Sequence, residues 1–145
     1  MRDLYKNLVR DYLQRYEKAK KFLETVDEKI EELENCKSPK VITKYGFSVG
    51  GSNVSMEDLI LNINAEIDML ERNKILNQKI VNDIKLSTED MKAEEREITF
   101  GIYCTNKRDG KVYDLMEKYG YEKSHMYRIA NEGLKHISLR LYGDY

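Results

Sequence analysis

The first 36 residues carry an apolar repeat that only a long helix can use. Apolar side chains recur there at steps of three and four residues, which places them along one side of an α-helix. The stripe consists of Tyr5, Leu8, Tyr12, Tyr16, Ala19, Leu23, Val26, Ile30 and Leu33. A helix of about 30 residues is roughly 45 Å long. Because this exceeds what a compact domain needs, we expect the helix to pack along a second long helix.

A second long helix is predicted after a break. Residues 37–54 contain the only proline, Pro39, and three glycines, so the first helix should end there. The segment Ser55–Asp58 resembles a capping box, and helical spacing resumes at Met56, Ile60, Ile63, Ile67, Leu70, Leu76, Ile80 and Ile84. We expect this helix to reach about residue 86, with polar Asn73-Lys74 acting as a bend or a register device. The two helices form a coiled-coil-like hairpin or a dimer seam.

Three shorter helices are predicted in the rest of the chain. Ser87 is followed by acidic residues and resembles an N-cap, so a third helix should run from about Thr88 to Cys104. It should bury Met91, Ile98, Phe100 or its neighbours, Ile102 and Tyr103. The turn-rich residues 105–110 then precede a short helix over 111–119, which ends at Gly120, and a final helix that runs from Lys123 toward Gly143.

The spacing around Gly120 is typical of a helix-turn-helix. Such a motif needs apolar residues where its helices cross, a turn residue that tolerates positive φ, and polar residues on the first turns of the second helix. The expected interior residues are Leu115, Tyr119, Tyr121, Met126 and Ile129. Either Glu122 or Ser124 caps the second helix. The same outline also occurs in helical pairs that are only packed together. We therefore expect an all-α chain with an assembly region, residues 1–86, and a helix-turn-helix domain, residues 87–145.

Polar residues of this domain are candidates for contact with double-stranded DNA. Side chains on the start of a recognition helix reach phosphates and base edges, and here they are Lys123, Ser124, His125, Tyr127 and Arg128. Lys107, Arg108 and Lys111 precede or begin the first short helix and are candidate phosphate clamps. Lys135 adds a further cation on the last helix. Ordinary solvated surface is the alternative interpretation of all these residues.

The segment from Ala93 to Ser138, AEEREITFGIYCTNKRDGKVYDLMEKYGYEKSHMYRIANEGLKHIS, resembles the ArpU/RinA-type phage late transcriptional regulators. The C-terminal part of that family is similar to the helix-turn-helix of bacterial sigma factors. Arg128 and Ile129 match its recognition-helix pattern, whereas Glu122 and His125 stand where the family has small hydroxyl residues. The resemblance implies a DNA-binding regulator of late genes, and the similarity to sigma factors favours host RNA polymerase as a second partner.

Composition and motifs disfavour other classes of protein. The net charge is −1, short of the strongly basic character that marks a nucleic-acid binder by charge alone. The glycines lack the GK[ST] of a phosphate-binding loop, and no nucleophile, base or metal-ligand spacing stands out among the two cysteines and two histidines. We expect no catalysis, no cofactor, no metal and free thiols at Cys36 and Cys104. No apolar run suits a membrane span or a secretion signal, so we expect a cytoplasmic protein of a bacterial host.

The sequence thus favours a phage- or prophage-encoded regulator that works as a homodimer. Two alternatives remain open. One is a phage inhibitor of a host protein, for example an anti-defence protein, favoured by the acidic middle of the chain: residues 55–106 hold eleven acidic and six basic side chains. The other is a DNA-packaging protein that resembles a terminase small subunit, which should assemble into a ring.

Overall fold

The computed structural model describes residues 1–38, 55–105 and 108–145, without the side chains of residues 108 and 109. These residues form five α-helices and no strand, which confirms the all-α prediction. The helices are α1 (Asp3–Cys36), α2 (Met56–Thr88), α3 (Ala93–Tyr103), α4 (Arg108–Tyr119) and α5 (Lys123–Tyr142). Most of the predicted loop at 37–54 lies outside the described residues.

The chain divides into two compact units, and both long helices contribute to each. The first unit, here the terminal unit, comprises Met1–Lys20 and Gln78–Tyr145; the second, here the middle unit, comprises Lys21–Asn77. The predicted division into an assembly region and a helix-turn-helix domain stays a prediction.

In the middle unit, one part of α1 and one part of α2 bury a small apolar core. Val26 and Ile67 are buried there, and Lys74 Nζ lies 2.5 Å from Asp27 Oδ1. The helix continues through Asn73-Lys74, so these polar residues interrupt the apolar stripe without ending α2. At the start of α2, Ser55 Oγ accepts a hydrogen bond from the Asp58 N–H at 3.1 Å. This is the bond that the capping-box pattern predicts.

The terminal unit holds the larger core. Its fully buried side chains come from α1, α2, α3, α4 and α5, and include Val9, Leu13, Ile84, Ile98, Ile102, Val112, Met126, Leu134 and Ile137. Leu8, which belongs to the predicted apolar stripe of α1, is 40% exposed. Val9 and Leu13, which lie outside the predicted stripe, face the core together with Tyr16, which belongs to it. Leu8 and Val9 both fit a helical spacing, and the packing of the neighbouring helices selects Val9.

The predicted start of the third helix at Thr88 is also wrong. Ser87 and Thr88 close α2, where their hydroxyl groups donate to the Ile84 carbonyl at 3.0 and 2.7 Å. A serine or threonine hydroxyl either caps a following helix or bonds back to the preceding turn, and the sequence does not distinguish these uses. α3 begins at Ala93, and its N-cap, Lys92, makes no side-chain cap hydrogen bond. Met91, which lies in the connection between α2 and α3, is buried.

The last three helices pack at close range. A Cβ added to Gly101 in α3 would lie 2.6 Å from Leu115 Cδ1 in α4, so the glycine allows these helices to approach. Of the residues predicted to be buried on α3, Ile98, Ile102 and Tyr103 are buried and Phe100 is half-buried. α4 begins at Arg108, three residues before its predicted start, and α5 runs as predicted until Gly143, which caps it in the left-handed conformation.

Candidate nucleic-acid interface

The connection between α4 and α5 is a tight turn at Gly120. Its φ of 68° lies in the left-handed region that glycine adopts without steric cost, and its N–H donates to the Met116 carbonyl at 2.8 Å. On either side, Leu115 and Met126 are buried as predicted. Tyr119, Tyr121 and Ile129, which were also expected inside, are only half-buried. The rings of Tyr119 and Tyr121 stack at 6.0 Å on the rim of the turn.

The α4 side of the turn is anchored to α3 by one carboxylate. Glu97 lies 2.7 Å from Lys118 Nζ and also accepts a hydrogen bond from the Tyr119 hydroxyl. The hydrogen bond from Lys118, followed in size of effect by the one from Tyr119, lowers the pKa of the Glu97 carboxyl. The three side chains therefore hold the last turn of α4 against α3.

The N-terminus of α5 faces outward without a side-chain cap. Glu122 occupies the N-cap position in an extended conformation and makes no side-chain cap hydrogen bond. Ser124 lies inside the helix and is exposed, so its predicted role as an alternative cap is wrong. The first N–H groups of a helix have no partner within the helix. They can therefore donate to an anion such as a DNA phosphate.

His125 and Arg128 form a pair on the first turns of α5. Arg128 Nη2 lies 2.8 Å from His125 Nδ1, and because a guanidinium only donates, the imidazole nitrogen accepts. The His125 ring stands edge-on to the Tyr121 ring, with centroids 4.5 Å apart. His125 thus joins Arg128 to the turn and limits the positions that the exposed guanidinium can reach.

Four of the predicted contact residues share one groove in the terminal unit. This groove, here the basic groove, has a volume of about 470 Å³. It is lined by Ser124, Tyr127, Arg128, Asn131, Glu132 and Lys135 of α5 and by Met1, Asp3 and Lys6. Lys135 also lies 2.8 Å from Glu132. Sequence reasoning missed Lys6, since nothing in the pattern of α1 indicates that its first turn lies beside α5.

Two further predicted residues lie on exposed surface outside that groove. Lys123 is exposed and its Nζ lies 5.8 Å from the centroid of the Tyr113 ring in α4. Lys111 is exposed on α4. Lys107 and the side chain of Arg108 lie outside the described residues.

A second groove, here the acidic groove, adjoins Arg128 on another side. It has a volume of about 520 Å³ and is lined by Lys92, Glu94, Glu95, Tyr121, His125, Arg128, Ile129 and Glu132. A hydrogen bond from Tyr121 to Glu94 raises the pKa of the tyrosine hydroxyl. Sequence reasoning placed Glu94 and Glu95 inside the predicted third helix and gave them no part in a site. Their position beside Arg128 depends on how α3 crosses α5.

The described residues show neither a metal-binding cluster nor a membrane-spanning helix. They contain no group of three or more histidine, cysteine, aspartate or glutamate side chains placed to hold a metal ion. None of the helices in those ranges is both long and apolar enough to cross a membrane. Burial raises the pKa of the Cys104 thiol to about 12, which leaves it a poor nucleophile. No family model, no curated protein and no solved structure matches this chain.

Proposed function

We propose that this chain is a phage- or prophage-encoded transcriptional regulator that binds double-stranded DNA through α4, the Gly120 turn and α5. The observation that carries the proposal is the two-sided character of α5. Ser124, Tyr127 and Arg128 line the basic groove on its outer side, whereas Met126 and Ala130 are buried beneath. A recognition helix has this construction, because one side must enter the major groove while the other holds the helix to its domain.

Each polar residue has a distinct part in the proposed interface. Arg128 contacts a phosphate or a guanine edge, and His125 positions it. Ser124 and the free amides at the start of α5 receive a phosphate. Lys123, Lys111 and Lys135 add charge along the DNA backbone.

The long helices serve assembly in this proposal. α1 and α2 pair as a hairpin within the chain, and two chains form a homodimer that presents two recognition helices about one DNA turn apart. The resemblance to ArpU/RinA-type regulators supports a late promoter as the target, with host RNA polymerase as a second partner in the bacterial cytoplasm.

Fluorescence anisotropy with duplexes selected from a random-sequence pool tests DNA binding directly. We expect sequence-selective binding that weakens as salt rises. Arg128→Ala should weaken binding to the selected site by about tenfold or more. Arg140→Ala is the matched control, since Arg140 lies on the same helix and pairs with Glu89 at 3.3 Å. No binding at low salt, or equal losses in both variants, contradicts the proposal.

A second candidate is supported by the acidic groove. Glu94, Glu95 and Glu132 surround Arg128 there, and three carboxylates repel a DNA phosphate but suit a basic protein surface. In this alternative the chain inhibits a host protein. The distinguishing experiment compares the parent with the Glu94→Gln/Glu95→Gln double variant. Tighter DNA binding by the variant supports the regulator, whereas an absence of DNA binding together with loss of a protein partner captured by the parent supports the inhibitor.

A further inference from the structure

The outer side of α2 in the middle unit is apolar and open to solvent. Its side chains at Leu61, Met69, Ile75 and Leu76 are between 53% and 71% exposed. At about 100° per residue these four positions and Ala65 lie within an arc of roughly 120° on the helix. We call these five residues the α2 stripe. Ile67, which is buried, lies on another side of α2, so the helix is apolar on two sides.

The neighbouring part of α1 has no such surface. Between Lys21 and Cys36 no large apolar side chain is exposed. The exposed positions there include Lys21, Glu24, Glu28, Lys29, Glu31 and Glu32. Isolated exposed apolar residues are ordinary on protein surfaces, whereas several along one side of a helix favour an interaction site. The contrast within one unit indicates that the α2 stripe is covered in the working protein.

Two opposite charges lie in the middle of the stripe. Asp68 and Arg72 are exposed and fall within the same arc of α2. Within the described part of the chain, neither side chain makes an ion pair or a hydrogen bond. Both charges are therefore available to a partner that presents an acid and a base one helical turn apart.

We propose that the occupant of the α2 stripe is the α2 stripe of a second copy of this chain, in an antiparallel arrangement. A twofold axis near residues 68–72 places Asp68 beside the partner's Arg72 and Arg72 beside the partner's Asp68, so both charges are satisfied by symmetry. Ala65 then lies opposite the partner's Ile75, and the two Met69 side chains meet near the axis. A parallel pair instead brings like charges together at both positions, which disfavours it.

This contact is small, so we expect the two copies to bind each other weakly. The stripe is about 24 Å long on a helix about 10 Å wide, less than the roughly 800 Å² that each partner contributes to a standard interface. We expect a dimer that dissociates in the micromolar range. The α2 stripe is then the contact surface of the homodimer in the proposed function. Only the role of the dimer rests on that proposed function.

Sedimentation equilibrium of the full chain tests the inference without DNA. The parent should pass from monomer to dimer between about 1 and 200 μM. Met69→Glu and Leu76→Glu should each weaken dimerisation at least tenfold, because they bury an acid in the stripe. Thr25→Glu, at an exposed position of α1, is the matched control and should leave it unchanged. Circular dichroism establishes that each variant retains its helices.

Charge exchange tests the antiparallel pairing. Asp68→Arg alone should weaken the dimer, since it faces the partner's Arg72, and the double variant Asp68→Arg/Arg72→Asp should restore it. A parent that stays monomeric at 200 μM overturns the inference, as does a dimer that Met69→Glu leaves intact or a ring of many chains. Because the readout is mass alone, a failure here leaves DNA binding by the regulator standing, and loss of DNA binding leaves this dimer standing.

Discussion

Gly133 of α5 lies so close to Thr99 of α3 that no side chain fits at position 133. A Cβ added there would overlap the Thr99 hydroxyl and lie 3.0 Å from its Cβ and Cγ2. Thr99 cannot turn away freely, since it is fully buried and its hydroxyl donates to the Glu95 carbonyl at 2.7 Å. This contact sets the distance between α3 and α5, and hence the position of Arg128 relative to Glu94 and Glu95.

We expect Gly133→Ala to destabilise the protein by about 1–3 kcal/mol, because overpacking outweighs the better helix propensity of alanine. Urea unfolding measures this change. Gly110→Ala in α4 is the control: a Cβ there meets no described atom within 4 Å, and the substitution should be neutral or stabilising. Adding Thr99→Ala to Gly133→Ala should recover part of the loss, and strict additivity of the two changes contradicts the contact.

Gly120 should resist substitution for a different reason. Its φ is 68° and a Cβ there would meet nothing within 4 Å, so the cost lies in the backbone alone. Gly120→Ala should cost about 1–2 kcal/mol of unfolding free energy, and Gly120→Asn less, since asparagine tolerates the left-handed region. Thermal or urea unfolding of the two variants measures the difference. Equal losses from alanine and asparagine indicate crowding at the turn instead.

Asp83 should make stability depend on pH in the acid range. Its carboxylate accepts hydrogen bonds from Lys79 and from the Tyr12 hydroxyl, at 2.5 and 2.9 Å. Desolvation opposes ionisation, yet these bonds lower the pKa of Asp83 below its ordinary value of 3.8. The contribution of Asp83 to the free energy of unfolding is therefore complete above the pKa of the unfolded state. It is lost as pH falls through the pKa of the folded state.

Urea unfolding between pH 6 and pH 2.5 measures this loss. The parent should lose more stability over that range than Asp83→Asn, which keeps an acceptor for Tyr12 but carries no charge. Asp114→Asn, at an exposed position without an ion pair among the described residues, should follow the parent. Identical pH profiles for the parent and Asp83→Asn count against the assignment.

Lys123 should contribute to DNA affinity through charge rather than through sequence reading. Removing one phosphate contact lowers the slope of log K against log salt by about one. We expect this change for Lys123→Ala, with a similar loss on specific and nonspecific duplexes. Lys85→Ala, at an exposed position of α2, should leave the slope unchanged. A loss confined to the selected site assigns Lys123 to base contact.

The two thiols should differ in reactivity. Cys104 is buried and burial raises its pKa to about 12, whereas Cys36 is half-buried. Because the thiolate is the nucleophile, iodoacetamide at pH 8 should alkylate Cys36 at least tenfold faster. Mass spectrometry of digested time points separates the two rates, and unfolding in urea should remove the difference. Comparable rates in the native protein refute the buried position of Cys104.

Some local features followed from the sequence because they depend on a few adjacent residues. The helix ends at Gly120 and Gly143 were predicted, and both glycines have positive φ. The Ser55 cap follows from the same kind of short-range chemistry. The buried positions Leu115 and Met126 were also predicted, since apolar spacing gives one side of each short helix.

The remaining features depend on which helices meet, and no local pattern contains that information. Leu8 and Val9 both have helical spacing, and only the neighbouring helices select Val9 for the core. Ser87 resembles a cap for the next helix but closes the previous one. For the candidate site, the sequence by itself determined the turn and the polar start of α5. The tertiary structure alone decided that Lys6 joins Arg128 in one groove while Glu94 and Glu95 approach it in another. Contacts between residues far apart in the chain arise from side-chain packing across helices, as at Thr99 and Gly133, which spacing along a single helix does not specify.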